Sequence, residues 1–248
     1  MDPTALVSGQ CLEGGWTECS ARRKVMKTTI LFQRHGEHRS QVLVPEDRAR
    51  CVEIGGQLAA AGVKINRMVL SPLPRAVATA LATCEGYGSA DMPLELESRM
   101  GDFKTDKRTS KDAVKTLKAM AVERYGDDGD ANLAKCLIDT TAMHNLLFAR
   151  AEEGATALTE MAMSHPGETI MVTSHGVARM EIVLRYLRGY RGTDLLQIAD
   201  ELIDRGQVIV VTFETEIGEE FHDNRAEFIS AEPWMPPAPK DDMPCKCM

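Results

Sequence analysis

The chain reads as an α/β protein: a three-layer α/β/α sandwich around a mostly parallel central sheet, with a helical insertion between the third strand and a second histidine motif. Two observations predict this. Short β-branched or apolar runs alternate with longer helical segments, which implies crossover connections and strands covered on both faces. The residues capable of chemistry stand directly after those runs, and ligands of parallel sheets collect beyond the carboxyl ends of the strands.

Residues 1–26 mix Gly, Ser, Thr and Cys without a period and read as an extension before the core. Thr28–Gln33 is a strand by its β-branched and apolar content. Pro45-Glu46-Asp47 opens a helix to about Ala61, with acids in its first turn and Gly62 at its stop. The internal Gly55-Gly56 pair predicts close packing of this helix against the sheet. Asn66–Leu70 is a second strand, followed by a helix from Pro72 to about Cys84 with Ser71 as its N-cap. Leu94–Glu97 is a short edge strand. Helical patterns cover Ser110–Tyr125 and about Asp139–Met163. The acidic Gly126–Asp130 linker between them lacks the ligand spacing of a calcium loop. His165-Pro166-Gly167 is a turn, Glu168–Ser174 a strand, Val177–Leu187 a helix and Gln207–Glu214 the final strand. The tail from Pro233 carries five prolines and reads as irregular. The domain boundaries expected are therefore 1–26 for the extension, 27–232 for the core domain and 233–248 for the tail.

At 248 residues the chain suits one domain with a sizeable core. The formal net charge of −8 argues against nucleic acid or acidic membrane as a partner, since both attract basic faces. It leaves room for a local basic pocket, which fits a small anionic substrate. Seven cysteines (11, 19, 51, 84, 136, 245 and 247) form no zinc-like double C-x-x-C pattern. Cys51, Cys84 and Cys136 fall in helical segments, where buried free thiols are common. No apolar run approaches the roughly 20 residues that span a bilayer, and residues 1–24 show no basic start followed by an apolar segment. A cytoplasmic protein is expected, with no metal and no cofactor. The oligomeric state is left open.

Arg34-His35-Gly36-Glu37 follows the first strand, Ser71-Pro72-Leu73-Pro74-Arg75-Ala76 forms a later strand-to-helix turn, and Thr173-Ser174-His175-Gly176 ends a late strand. Two histidines and two arginines so placed suit a site that holds a phosphoryl group and takes it onto nitrogen. A neutral imidazole at His35 can attack phosphorus and split one hard displacement into two easier ones. Arg34 and Arg75 would disfavour its protonation and offer planar, permanently charged clamps for phosphoryl oxygens. Arg75 lies in the first turn of a helix, where the dipole opposes a cation, and a bound anion would resolve that conflict. His175 is a second imidazole. Gly176 permits close backbone approach at the start of the following helix.

The three ordered motifs, R-H-G-E, S-P-L-x-R-A and S-H-G, resemble the histidine phosphatase superfamily, which includes the cofactor-dependent phosphoglycerate mutases. The resemblance spans about Thr28–Phe213 and is weaker over Lys104–Pro166. It implies that 27–232 is a histidine phosphatase-like catalytic domain, that His35 is phosphorylated and that His175 completes the phosphate pocket. It also implies a glutamate proton donor before a glycine, and Leu96-Glu97-Ser98-Arg99-Met100-Gly101 places Glu97 there. Glu95, Asp102 and Glu37 stand as alternatives. Two family positions depart from the usual form: His38 replaces a small hydroxyl residue, and Gln41 replaces a phosphate-holding asparagine that its amide can imitate. His38 is a candidate for facing substrate or solvent. Gly176 in place of an aspartate disfavours the acid-phosphatase branch.

The expected function is that of a metal-independent phosphatase hydrolysing a small phosphomonoester through a phosphohistidine at His35. Three other readings stay open: a phosphoglycerate mutase-like phosphotransferase, a phosphohistidine-protein phosphatase, and a catalytically weak phosphate-binding regulatory protein.

Overall fold

A computed structural model describes residues 24–39, 42–89, 91–102, 108–127, 129–176, 179–198 and 202–236. Among them are β1 (Lys24–Arg34), β2 (His38–Arg39), β3 (Val42–Leu43), α1 (Pro45–Ala60), β4 (Arg67–Leu70), α2 (Pro74–Tyr87) and β5 (Leu94–Leu96). There follow α3 (Lys111–Tyr125), α4 (Asp130–Asp139), α5 (Thr141–Ser164), β6 (Thr169–Ser174), α6 (Met180–Leu187), β7 (Val208–Ile217) and β8 (Arg225–Pro233).

Six strands form one sheet in the order β5-β4-β6-β1-β7-β8. The first four run parallel; β7 is antiparallel to both β1 and β8. The predicted α/β/α sandwich is therefore present. Side chains that alternate along a strand serve two different cores, as a period of two requires. Ile30 and Phe32 of β1, Ile170 and Val172 of β6, and Ile209, Val211 and Phe213 of β7 pack with α5 and α6. Leu31, Met171 and Val208, one residue out of phase, face the opposite layer with Leu58 of α1 and Ala80 and Cys84 of α2. A third cluster joins Leu117, Leu133, Leu137 and Leu147 of the helical insertion to Ile182 of α6. Within the described residues no helix is long and apolar enough to cross a membrane.

Several elements differ from the sequence reading. The Gly55-Gly56 prediction of close packing holds, but the neighbour is a helix. A Cβ on Gly55 would lie 2.0 Å from the Thr83 carbonyl oxygen, and one on Gly86 would lie 1.8 Å from that of Val52. Backbone meets backbone there, so neither glycine tolerates a side chain without separating α1 from α2. α4 begins at the last residue of the expected Gly126–Asp130 linker and fills a stretch to which no element was assigned, and its Leu133, Ala134, Cys136 and Leu137 are buried. β8 follows the strand expected to be last, and pairs with β7 from Ile209 to Glu216. β1 begins at Lys24, within the expected extension, because β7 is long enough to pair with it from Val208 to Ile217. Cys51, Cys84 and Cys136 are buried and free.

Candidate active site

Parallel pairing brings three distant segments to one edge. Arg34 at the end of β1 stands opposite Ser174, and Leu70 at the end of β4 stands opposite Thr173. Backbone hydrogen bonds continue past the strands: the His35 N–H donates to the Ser174 carbonyl at 2.9 Å and the Ser71 N–H to that of Thr173 at 3.0 Å. The motifs are thereby laid side by side beyond the carboxyl ends of β1, β4 and β6, where the sequence pattern predicted a site.

His35 is 7% exposed. Its Nδ1 lies 2.7 Å from the Gly36 carbonyl oxygen, which can only accept, so this nitrogen carries the proton. Nε2 is then the unprotonated nitrogen, and it accepts a 3.3 Å bond from Nε of Arg75. Burial above all lowers the ring's pKa from 6.5 to about 3, opposed by the Gly36 carbonyl and assisted by Arg75, His38 and Arg34. A nitrogen that carries no proton at neutral pH is what nucleophilic attack requires.

His175 is 1% exposed, with its ring centroid 4.9 Å from that of His35. Its Nε2 is 2.7 Å from the Ser71 hydroxyl, while Nδ1 is buried with no hydrogen-bond partner among the described residues. Burial, joined by the charges of His35 and Arg75, lowers its pKa well below the ordinary value. Ser71 thus serves His175. The N-cap of α2 is Leu73, without a side-chain capping bond, and the helix starts two residues later than expected. His38 packs edge-on against His35, with centroids 5.1 Å apart. Gln41 lies outside the described residues.

Arg34 and Arg75, the two candidate clamps, are buried and engaged by carboxylates. Arg75 Nη2 bonds Asp102, which is itself buried. Arg34 donates from Nη1 to the Ile203 carbonyl and from Nη2 to Asp130 at the start of α4. Its Nε has no hydrogen-bond partner among the described residues. Gly176 lies against this guanidinium: a Cβ there would sit 2.1 Å from Arg34 Nε. Arg205 bridges Asp130 at 3.1 Å and Glu37 at 3.0 Å, closing a chain of alternating charges around Arg34.

The four carboxylates considered as proton donors are each paired with an arginine. Glu37 meets Arg205, Glu95 meets Arg67 at 2.7 Å, Glu97 meets Arg99, and Asp102 meets Arg75. Glu97 accepts from the Arg99 backbone at 2.9 Å and from its guanidinium at 2.8 and 3.1 Å. The Arg99 side chain holds this carboxyl below the usual carboxylate range, against a smaller opposing effect of burial. That environment works against the donor role expected for Glu97, which asks for a raised pKa. Of the four partner arginines, Arg75 is the one hydrogen-bonded to His35.

A sequence model described as the histidine phosphatase superfamily (branch 1) matches residues 30–220. The chain belongs to this superfamily. No curated protein matches it by sequence. Among solved structures, a phosphoserine phosphatase from Entamoeba histolytica in complex with 3-phosphoglyceric acid is similar at 17% identity and a TM-score of 0.51. That likeness covers 83% of this chain and 96% of the other. A phosphoglycerate mutase from Bacillus anthracis is similar at 13% identity, with a TM-score of 0.48 and coverage of 84% and 93%. Bacillus stearothermophilus YhfR is similar at 17% identity, with a TM-score of 0.49 and coverage of 74% and 90%. At these identities the likeness concerns the fold.

Asp130 and Arg205 were missed as site residues from sequence. The spacing of Leu133, Ala134, Leu137 and Cys136 marks α4 as amphipathic and would have revealed a helix starting at Asp130. Arg205 carries no such signal. It reaches the site because the Gly206 N–H bonds the Arg34 carbonyl at 3.0 Å. Among the described residues, no group of three or more His, Cys, Asp or Glu side chains is placed to hold a metal ion.

Proposed function

We propose that the protein is a phosphatase that hydrolyses a small phosphomonoester through a phosphohistidine at His35, without a metal. The observation that carries the reading is the pairing of Nδ1 with the Gly36 carbonyl, which leaves the Nε2 lone pair facing the Arg75 guanidinium. Nε2 attacks phosphorus, the P–O ester bond breaks and its electron pair leaves on the ester oxygen. Water then attacks the phosphohistidine, releases inorganic phosphate and returns the pair to Nε2. Arg75 and Arg34 neutralise the phosphoryl oxygens during both transfers. Nδ1 of His175 has no hydrogen-bond partner among the described residues, and a Ser71 hydroxyl that donates to Nε2 would leave it as a donor for a phosphoryl oxygen.

The arginine pairing of Glu37, Glu95, Glu97 and Asp102 supports a finer reading. Each of the four is ion-paired with an arginine, so the enzyme favours leaving groups that depart with little proton assistance. The substrate class is then a phosphomonoester of a stabilised oxygen.

The test is release of inorganic phosphate from p-nitrophenyl phosphate and a panel of phosphometabolites, with chelator present and His35→Ala as control. Turnover that survives chelation and vanishes in the variant supports the reading. Turnover retained by His35→Ala contradicts it, and label exchange between substrate positions without net release would indicate a mutase.

A further inference from the structure

Glu181 lies in the first turn of α6, six residues after His175, and is 2% exposed. Its helix neighbours Met180, Ile182, Val183 and Leu184 are apolar and buried. A leucine at this position would fit the surroundings, and a buried carboxylate is a poor source of stability. Glu181 reaches another segment through one side-chain oxygen: Oε1 accepts the Ile203 backbone N–H at 3.2 Å. Oε2 is buried with no hydrogen-bond partner among the described residues. The same Ile203 peptide segment presents its carbonyl oxygen to Nη1 of Arg34. Glu181, the Ile203 backbone and the Arg34 guanidinium therefore form one hydrogen-bonded relay, from α6 to the candidate clamp on β1.

Residues 202–204 carry no helix or strand of their own, and an irregular segment needs side-chain ties to hold a carbonyl in one direction. Gln207 Oε1 accepts the Asp204 N–H at 2.8 Å on one side, and Glu181 holds Ile203 on the other. Arg34 has two fixed acceptors, Ile203 and Asp130, and they set the plane of its guanidinium. A planar fork that is turned out of register loses bidentate geometry even though its charge remains.

We propose that Glu181 is a positioning residue that orients the Arg34 phosphate clamp through the backbone of Ile203, whose N–H and carbonyl lie in successive peptide units. This rests on the reading that Arg34 holds the phosphoryl group. A carboxylate or carboxamide at position 181 can accept the Ile203 N–H. An apolar residue cannot, and it removes the tie on the Leu202–Ile203 peptide, so that the Ile203 carbonyl is held by Gln207 through the Asp204 N–H alone and shifts relative to Arg34.

The experiment measures affinity for inorganic phosphate by calorimetry, which needs no turnover, together with kcat and KM on p-nitrophenyl phosphate. The proteins are wild type, Glu181→Gln, Glu181→Leu, Arg34→Ala and the Arg34→Ala/Glu181→Leu double variant, each checked for folding by thermal melt. Glu181→Leu is expected to weaken phosphate binding by roughly 10- to 100-fold, the scale of a displaced clamp, while Glu181→Gln stays within about threefold of wild type by keeping the acceptor. In the Arg34→Ala background Glu181→Leu is expected to have no further effect, because its route is gone. If Glu181→Leu does not fold, Glu181→Met takes its place in the same cycle; the Arg34 Nε–H resonance is then expected to shift in Glu181→Met and to stay at its wild-type position in Glu181→Gln, and an unshifted resonance in Glu181→Met would overturn the proposal. Wild-type phosphate affinity in a folded Glu181→Leu protein, or an equal loss in the Arg34→Ala background, would overturn the proposal. So would an unaltered affinity in Arg34→Ala. A wild type that binds phosphate through Arg34 yet turns nothing over would overturn the phosphatase reading alone.

Discussion

The Nε of Arg75 donates a hydrogen bond to the Nε2 of His35 across 3.3 Å, although 40 residues separate them in the chain. The guanidinium thus touches the atom that would attack phosphorus, and Asp102 holds its other edge. Arg75→Ala is expected to lower kcat by about 10²- to 10³-fold, the usual cost of one transition-state donor, and to lower the melting temperature as well, since it takes one partner from the buried Asp102 carboxylate. Asp102→Asn is expected to lower it less, since a carboxamide still accepts a bond from the guanidinium. Steady-state kinetics beside a thermal melt checks both. Equal turnover in Arg75→Ala and wild type would remove Arg75 from the chemistry.

Gly176 lies where any side chain would enter the Arg34 guanidinium, with 2.1 Å between the Cβ position and Nε. Gly176→Ala is expected to raise KM and weaken phosphate binding by at least about tenfold, because Arg34 must swing away to admit a methyl group. Calorimetric titration with phosphate provides the measurement. An alanine variant that binds as tightly as wild type would show that Arg34 does not hold the anion.

The low pKa of both imidazoles has a consequence for stability. His35, lowered from 6.5 to about 3, and His175, lowered well below 6.5, bind protons more weakly folded than unfolded. As pH falls below about 6.5 the unfolded chain therefore takes up protons that the folded chain refuses, and stability declines toward pH 3. Above 6.5 the contribution is fully present. Urea unfolding of wild type and of His35→Gln/His175→Gln is expected to show the steeper acid loss in wild type between pH 7 and pH 4. Parallel curves would mean that the rings are not buried in neutral form.

Arginine engagement of the four carboxylates predicts a steep dependence of turnover on the leaving group. Across a series of aryl and alkyl phosphates, log kcat/KM is expected to fall as the pKa of the departing alcohol rises. Glu97→Gln is expected to alter fast and slow members by the same small factor. A flat series, or a loss confined to alkyl phosphates in Glu97→Gln, would show that Glu97 escapes Arg99 and donates a proton.

Much of the fold was legible because its signals are local. Thr28–Gln33, Asn66–Leu70 and Glu168–Ser174 are apolar runs whose alternate residues face two cores, and the helices between them carry their own stops. His35, Arg34, Arg75 and His175 were legible for a related reason: parallel strands place whatever follows them at one edge. β8 was not, because Arg225 to Ser230 alternate between exposed and half-buried without a fully buried side chain, and the strand depends on β7 for pairing. Asp130 and Arg205 enter the site through tertiary packing of α4 and of the turn before β7, which no sequence spacing encodes. Ser71 looked like a helix cap because serine favours that position. Its hydroxyl instead meets His175, whose place opposite depends on the β4–β6 register.

Phosphorylation of His35 is the claim on which the account stands, and trapping the phosphoenzyme tests it most directly. The protein would be mixed rapidly with p-nitrophenyl phosphate, quenched in alkali to preserve phosphoramidate bonds, and mapped by mass spectrometry. The account predicts one added phosphoryl group on the peptide bearing His35, at Nε2, and none in His35→Ala. Turnover with no adduct at His35, or an adduct at another residue that persists in His35→Ala, would contradict it.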